Sequence, residues 1–211
     1  MKGRIVLVTG ASGGLGTYAT QAFLDVGATG TSRKTQPSDF ASANFTAIPG
    51  EVSMQAAANI LVDTIIARFG RLDVLVHAVG GFAGGETVAN ADDGTFQRMF
   101  DLNVNSFFHI LHPSVCRAAV APAAGVGAYS ASKAALVSLV KTLAAENRDA
   151  GITANVILPG TMDTPANRMA MPGSDFSKWV QPANVASLAV WLVSDAAKDV
   201  NGAAIPVYGD V

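Results

Sequence analysis

Ile5-Val6-Leu7-Val8-Thr9-Gly10-Ala11-Ser12-Gly13-Gly14-Leu15-Gly16 is the stretch that decides the fold. Its first four residues are aliphatic without a break and mostly β-branched. Such a run reads as a strand buried on both faces, as in a parallel sheet. Glycines follow at once, and a helical pattern then runs from about Gly14 to Val26. Strand, glycine turn and helix in that order make a phosphate cradle. Glycines let the backbone approach a pyrophosphate, and the helix N-terminus offers free N–H groups and positive potential. The spacing is G-x-x-x-G-x-G rather than the commoner G-x-G-x-x-G. A glycine-rich turn by itself is also just a tight loop. Its place between strand and helix favours a cofactor site.

The chain has 211 residues, half of them hydrophobic and 14% charged. That length suits one α/β domain with a full core, residues 1–211, and the composition excludes a disordered or fibrous chain. A net charge of −2 leaves no basic footprint for nucleic acid. The single cysteine, Cys116, excludes an intrachain disulfide and fits a reducing compartment. Ile5–Val8 is too short for a signal sequence and no stretch is long enough to span a membrane. A cytoplasmic location is expected, with no membrane partner. Asn44-Phe45-Thr46 is a formal glycosylation sequon without a secretion signal to give it meaning.

Outward from the cradle, strands and helices alternate. Ala28–Arg33 reads as the second strand, Phe45–Ile48 as the third with Glu51 and Val52 at its end, and Leu72–Ala78 as the fourth. Ser53 stands where it would cap a helix from Met54 to Phe69. Asp92–His112 reads as one helix and Tyr129–Asn147 as another. Ile152–Leu158 is a further buried strand, Pro182–Ser194 a helix and Ala203–Val207 the last strand. This alternation predicts an α/β fold: a Rossmann-type, doubly wound, mainly parallel sheet flanked by helices in three layers. Thr161–Trp179, within a segment of about 161–181, is irregular and rich in Pro and Met, and reads as a substrate lid. After the second strand come Ser32, Arg33 and Lys34, with no acid before Asp39. An acid there would hold a ribose hydroxyl, whereas Arg33 suits a 2′-phosphate, which favours NADP(H) over NAD(H). The run Gly80-Gly81-Phe82-Ala83-Gly84-Gly85 marks a place where backbone comes close to a ligand. His109 and His112 lie three apart, but nothing nearby completes a metal set, and no metal is expected.

The chemistry-bearing stretch is Tyr129-Ser130-Ala131-Ser132-Lys133. Tyr and Lys four apart in a helix share one face. A free phenol has a pKa of about 10, and a neighbouring cation favours its ionised form. Such a phenol can give a proton to a carbonyl or imine, or take one from an alcohol. The pair alone is weak, because the pattern is short.

Taken together and in order, these motifs resemble the short-chain dehydrogenase/reductase family along essentially the whole chain. The matching residues are Thr9-Gly-x-x-x-Gly14-x-Gly16, Asn103, Tyr129-x-x-x-Lys133, and Asn155-x-x-x-Pro159-Gly160-x-x-x-Thr164. The resemblance implies that Gly10, Ser12, Gly14, Leu15 and Gly16 line the pyrophosphate, and that Glu51 and Val52 meet adenine. It implies that Tyr129 is the acid/base and that Lys133 binds the nicotinamide ribose. Asn103 would hold a water in a proton relay. Ala78, Gly80, Pro159, Gly160, Met162 and Thr164 would also contact the cofactor. Three departures stand out. The family's N-N-A-G is His77-Ala78-Val79-Gly80, so the contacts of the Asn pair are lost. The family's serine position holds Cys116, whose thiol is a weak donor, with Ser114 out of register. Asn103 and Tyr129 are 26 residues apart, whereas the family needs roughly fifteen more, enough for a central strand.

Within the family, Gly80–Gly85 together with Asp163-Thr164-Pro165-x-Asn167-Arg168-x-x-Met171-Pro172-x-x-Asp175-Phe176-x-x-Trp179 resembles the dihydropteridine reductases. These work without the serine and reduce a quinonoid ring. Gly81, Phe82, Met171 and Trp179 would then face substrate, with Phe82 and Trp179 as flat walls or, equally, as packing for the lid. The expected activity is hydride transfer between nicotinamide and a small carbonyl, alcohol or conjugated-ring substrate. A dinucleotide-binding sensor or scaffold that has lost turnover is the alternative, motivated by Cys116 and the short spacing. A Ser–His hydrolase has no G-x-S-x-G elbow to support it. The two helices Asp92–His112 and Tyr129–Asn147 carry more apolar residues than one sheet face needs, so a homodimer or homotetramer is expected.

Overall fold

In the computed structural model, which describes residues 2–32, 37–110 and 125–209, the stretch from Ile5 forms strand β1 (Ile5–Thr9). Side chains alternate across it, as the pleat requires. Val6 and Val8 pack with Phe23 of helix α1 (Gly16–Asp25) and Ala186 of a late helix. Ile5 and Leu7 pack on the opposite face with Leu61 and Ile65 of α2 (Gln55–Phe69). Both faces are covered, which is why the run is apolar at every position. Val6, Leu7 and Val8 are fully buried, each contributing about 1.5–3 kcal/mol of apolar burial.

Strand β1 is the centre of a four-stranded sheet. Strands β2 (Thr29–Ser32), β3 (Phe45–Ala47) and β4 (Val74–His77) complete it in the order β3-β2-β1-β4, all parallel. The later strands, β5 (Val156–Pro159) and β6 (Ala204–Val207), pair in parallel with each other as a second sheet. The sequence predicted one sheet. Among the described residues no strand lies between β4 and β5. Cys116, Ser114 and His112, and likewise Arg33 and Lys34, lie outside the described residues.

Two helices hold both sheets from opposite faces. Helix α7 (Pro182–Leu192) sets Ala186 against Val6 and Val8, and Val185 against Ile157 of β5. Helix α4 (Ser106–Ile110) sets Ile110 against the β1 cluster and Phe107 against Val156 and Leu158. The architecture is therefore layered helix–sheet–helix, as expected.

Several local expectations are corrected. The span read as one helix from Asp92 is broken. Helix α3 (Asp93–Phe100) is capped by Asp92, whose carboxylate accepts from Thr95 N–H at 2.8 Å. A π-helical turn follows (Asp101–Asn105), and then α4. Ser53 does not cap α2; Met54 holds that position without a side-chain bond. Instead the Glu51 carboxylate accepts from the N–H groups of Val52 and Ser53, at 3.0 and 3.3 Å. Helix α5 spans Gly127–Glu146, so Tyr129 lies in its first turn. The lid is partly regular. It holds helix α6 (Pro165–Ala170), which opens on Pro165 and is capped by Thr164, whose hydroxyl accepts from Asn167 N–H at 3.3 Å.

Candidate active site

The parallel strands point their C-terminal ends the same way, so the turns after β1, β4 and β5 converge. The turn after β1 is held by its own backbone. Gly13 N–H donates to the Gly10 carbonyl at 2.9 Å, and the Thr17 hydroxyl donates to Ala11 O at 3.0 Å. Gly10 has φ +78°, and a β-carbon there would stand 2.8 Å from the Ala78 carbonyl. One on Gly16 would run into the Gly10 carbonyl. Gly10 lets the turns after β1 and β4 touch, and Gly16 lets the start of α1 fold back onto the β1 turn. Ser12 and Gly14 are exposed, while Leu15 packs downward beside Ile157 and Val185. The result is an exposed, glycine-lined cradle at the N-terminus of α1, which fits a pyrophosphate.

The turn after β4 meets Asn103. The Asn103 Oδ1 accepts from Gly81 N–H at 3.0 Å, and its Nδ2 donates to Gly81 O at 3.1 Å. The same Nδ2 donates to Ser132 Oγ at 3.2 Å, and that hydroxyl donates to Tyr129 O at 2.8 Å. Asn103 is fully buried, within the π-helical turn. It therefore ties the glycine turn to the start of α5. Its side chain is engaged mainly by Gly81 and Ser132. A water held in a relay would meet the remaining lone pair of Oδ1. Ser132 is a site residue that the sequence reading left without a role, although its place on the Tyr129 helix was visible.

Lys133 is 6% exposed, and its Nζ lies 5.6 Å from the centre of the Tyr129 ring, within cation–π range. A β-carbon on Gly80 would stand 3.1 Å from Lys133 Nζ and 2.9 Å from Asn103 Oδ1. Gly80, Asn103, Lys133 and Tyr129 thus gather at one place. Phe82 stands edge-on to Tyr129, centroids 5.0 Å apart at 77°, and is 68% exposed.

The segment read as a lid meets the cradle at Thr164, whose Cγ2 would lie 2.8 Å from a β-carbon on Gly14. Gly160 takes no side chain, since its β-carbon would lie 2.8 Å from Tyr208 O. Met162 bridges to Val180, and its carbonyl accepts from Asn167 Nδ2 at 2.8 Å. Thr164 is buried. Arg168 grips Asp163 with both ends of its guanidinium, its Nη2 at 2.7 Å, and Gln181 donates to the same carboxylate at 3.2 Å. The hydrogen bond from Arg168 holds the Asp163 carboxyl below the usual range. Arg168 also lies over the Phe176 ring at 4.8 Å, and Phe176 packs on Trp179 at 4.7 Å. Trp179 is only 7% exposed, so its ring packs the lid and is not an open wall facing Phe82. Met171, 39% exposed, ends α6.

Val52, at the end of the third strand's exit, is buried in the α2 cluster, and its N–H donates to the half-buried Glu51 carboxylate at 3.0 Å. His109 Nδ1 lies 3.2 Å from Val52 O. His77, which stands at the first position of the family's asparagine pair, is buried with Nδ1 2.9 Å from Thr9 Oγ1 and Nε2 3.3 Å from Ser106 Oγ.

Residues 4–117 match the family model described as short chain dehydrogenase, and residues 110–209 match the one described as enoyl-(acyl carrier protein) reductase. The chain belongs to the short-chain dehydrogenase family. Within it, the chain is 30% identical to the cyclic-di-GMP-binding biofilm dispersal mediator protein of Escherichia coli (strain K12), covering 98% of this chain and 96% of that protein. It is 29% identical to the dihydropteridine reductase of Dictyostelium discoideum, covering 95% and 92%. The first alignment runs over 231 positions, more than the 211 residues here, so that relative carries residues this chain lacks. A 3-ketoacyl-(acyl-carrier-protein) reductase from Brucella melitensis, solved with NADH, superposes with a TM-score of 0.85 over 100% of this chain and 99% of that one. At 22% identity that likeness concerns the short-chain dehydrogenase fold. Among the described residues no helix is long and apolar enough to cross a membrane.

Proposed function

We propose that this chain is an NAD(P)(H)-dependent oxidoreductase that reduces a carbonyl or conjugated-ring substrate, with Tyr129 as proton donor. The observation that carries this is the burial of the Lys133 ammonium against the Tyr129 ring, beside Gly80 and Asn103. A pure binder of the cofactor needs no acid/base held in that way. When bound, a nicotinamide supplies the hydride. Tyr129 gives its phenolic proton to the substrate oxygen or ring nitrogen, and the Lys133 charge favours the phenolate left behind. Gly10, Gly14 and Gly16 would hold the pyrophosphate on the N-terminus of α1, while Thr164 and Met162 position the lid above it.

Two features favour a flat, conjugated substrate. Phe82 offers an exposed ring beside Tyr129, and the relative from Dictyostelium discoideum is a dihydropteridine reductase. The preference for NADP(H) rests on Arg33 and on the absence of an acid from Ser32 to Lys34. A second copy of the chain is the partner that would cover Phe96, Leu102 and Phe108, which are 48%, 39% and 58% exposed along α3 to α4. A monomeric mass by light scattering at micromolar concentration would contradict that assembly.

The test is oxidation of NADPH and NADH, followed by absorbance, with a quinonoid dihydropterin and a panel of ketones, quinones and imines. Turnover of the dihydropterin, faster with NADPH, is the expected result. Cofactor binding without turnover on the whole panel would contradict the enzymatic reading.

A further inference from the structure

His77 is buried at 1% exposure, on the floor beneath the converging turns. It is the last residue of β4 and the register partner of Thr9, the last residue of β1. Its Nδ1 is 2.9 Å from Thr9 Oγ1, and its Nε2 is 3.3 Å from Ser106 Oγ. The Ser106 hydroxyl spends its own hydrogen on the Leu102 carbonyl at 2.7 Å. Ser106 Oγ can therefore only accept from the ring, which assigns a hydrogen to Nε2. Leu102 immediately precedes Asn103, and Ser106 N–H closes the π-helical turn on Asp101 O. One imidazole thus connects the ends of β1 and β4 to both sides of the turn that carries Asn103. π-helical turns are irregular and need outside support to keep one geometry.

We propose that His77 is a positioning residue for the candidate active site. It fixes the π-helical turn through Ser106, so that Asn103 keeps its two-way grip on Gly81 and its bond to Ser132 beside Tyr129. Asn103 itself touches the backbone of the glycine turn; His77 acts only through it. The proposal rests on the oxidoreductase reading for its catalytic consequence. The physical link from His77 to Gly81 stands apart from any activity.

The test compares His77→Gln with His77→Leu. Both fill the site, but only glutamine carries an amide nitrogen that reaches the place of Nε2 and can donate to Ser106. The primary readout is amide hydrogen exchange at Gly81, whose N–H is held by Asn103. In His77→Leu, Gly81 protection is expected to fall about 10-fold, the size of one lost buried hydrogen bond. Val6 and Val8 in β1 should stay near the wild type. His77→Gln should restore most of the Gly81 protection. Where a substrate is turned over, kcat should fall about as much in His77→Leu, with KM and cofactor affinity little changed. Wild-type exchange at Gly81 in folded His77→Leu overturns the proposal. So does an equal loss at Gly81, Val6 and Val8, which would mean general loosening, or a glutamine variant no better than leucine. Should His77→Leu fail to fold, Ser106→Ala reads the same link from the acceptor side, and unchanged Gly81 exchange there overturns it too. Absence of turnover in the wild type would sink the oxidoreductase reading and leave the exchange result to decide the role of His77.

Discussion

Gly14, in the cradle after β1, faces Thr164, the cap of the lid helix: a β-carbon on Gly14 would lie 2.8 Å from Thr164 Cγ2 and 3.7 Å from its Oγ1. The cradle and the lid are therefore one wall. Gly14 is exposed, and its backbone does not need the left-handed region, so the demand for glycine there is steric. Gly14→Ala is expected to push Thr164 and weaken NADPH binding by about 10-fold, within the range of overpacking by one methyl. Adding Thr164→Ser removes Cγ2, keeps the capping oxygen and should restore binding to near the wild-type value. Fluorescence titration of NADPH measures both. Additive losses would show that the two residues do not share the contact.

The local parts of this site were legible in the sequence because their signals are local. An apolar run, a glycine turn and a helix in unbroken succession from Ile5 to Asp25 leave little choice of structure, and Tyr129 and Lys133 share a helix face by spacing alone. Contacts across the chain were not legible. Nothing in the spacing of Gly14 and Thr164 says that they meet. Nor did the pattern of Phe96, Met99, Phe100, Val104 and Phe107 betray the π-helical turn, because its apolar residues keep helical spacing through the irregularity. Trp179 stayed open between a substrate wall and packing for a similar reason: a flat aromatic there looks the same whether it faces ligand or core. His77 was read as a lost asparagine, since its value lies in two hydroxyls brought from β1 and α4.

Phe82 and Trp179 should respond differently to truncation. Phe82 is mostly exposed and edge-on to Tyr129. Phe82→Ala should leave the melting temperature nearly unchanged and raise KM for a bicyclic substrate by roughly 5- to 10-fold, the scale of an aromatic contact. Trp179→Ala removes a buried ring and should cost about 3–5 kcal/mol of stability. Steady-state kinetics and thermal melting separate these cases. An equal effect on KM from both variants, without loss of stability in either, would return Trp179 to the substrate wall.

The lid carries a built-in acid limit. The Asp163 carboxyl is held below its ordinary value, chiefly by the hydrogen bond from Arg168. A carboxyl depressed in the folded state contributes its stability above the unfolded pKa of about 4 and loses it as pH falls through the folded value. Lid order should therefore be constant through neutral pH and weaken only below about pH 4. Trp179 fluorescence in a Trp191→Phe background is the probe. The signal is expected to titrate in acid in the parent and to lose that step in Asp163→Asn. A step that survives Asp163→Asn would assign it to another group.

The most direct measurement is turnover of Tyr129→Phe beside the wild type, on whichever substrate the panel identifies, together with NADPH affinity. Removing one hydroxyl keeps the ring that packs on Phe82 and lies by Lys133. Turnover is expected to fall by about 100-fold or more, the scale of a lost general acid, while NADPH affinity stays within about 3-fold, since no bond to the backbone cradle is removed. Retained turnover in Tyr129→Phe would contradict the assignment of Tyr129 as proton donor, and with it the central reading of this site.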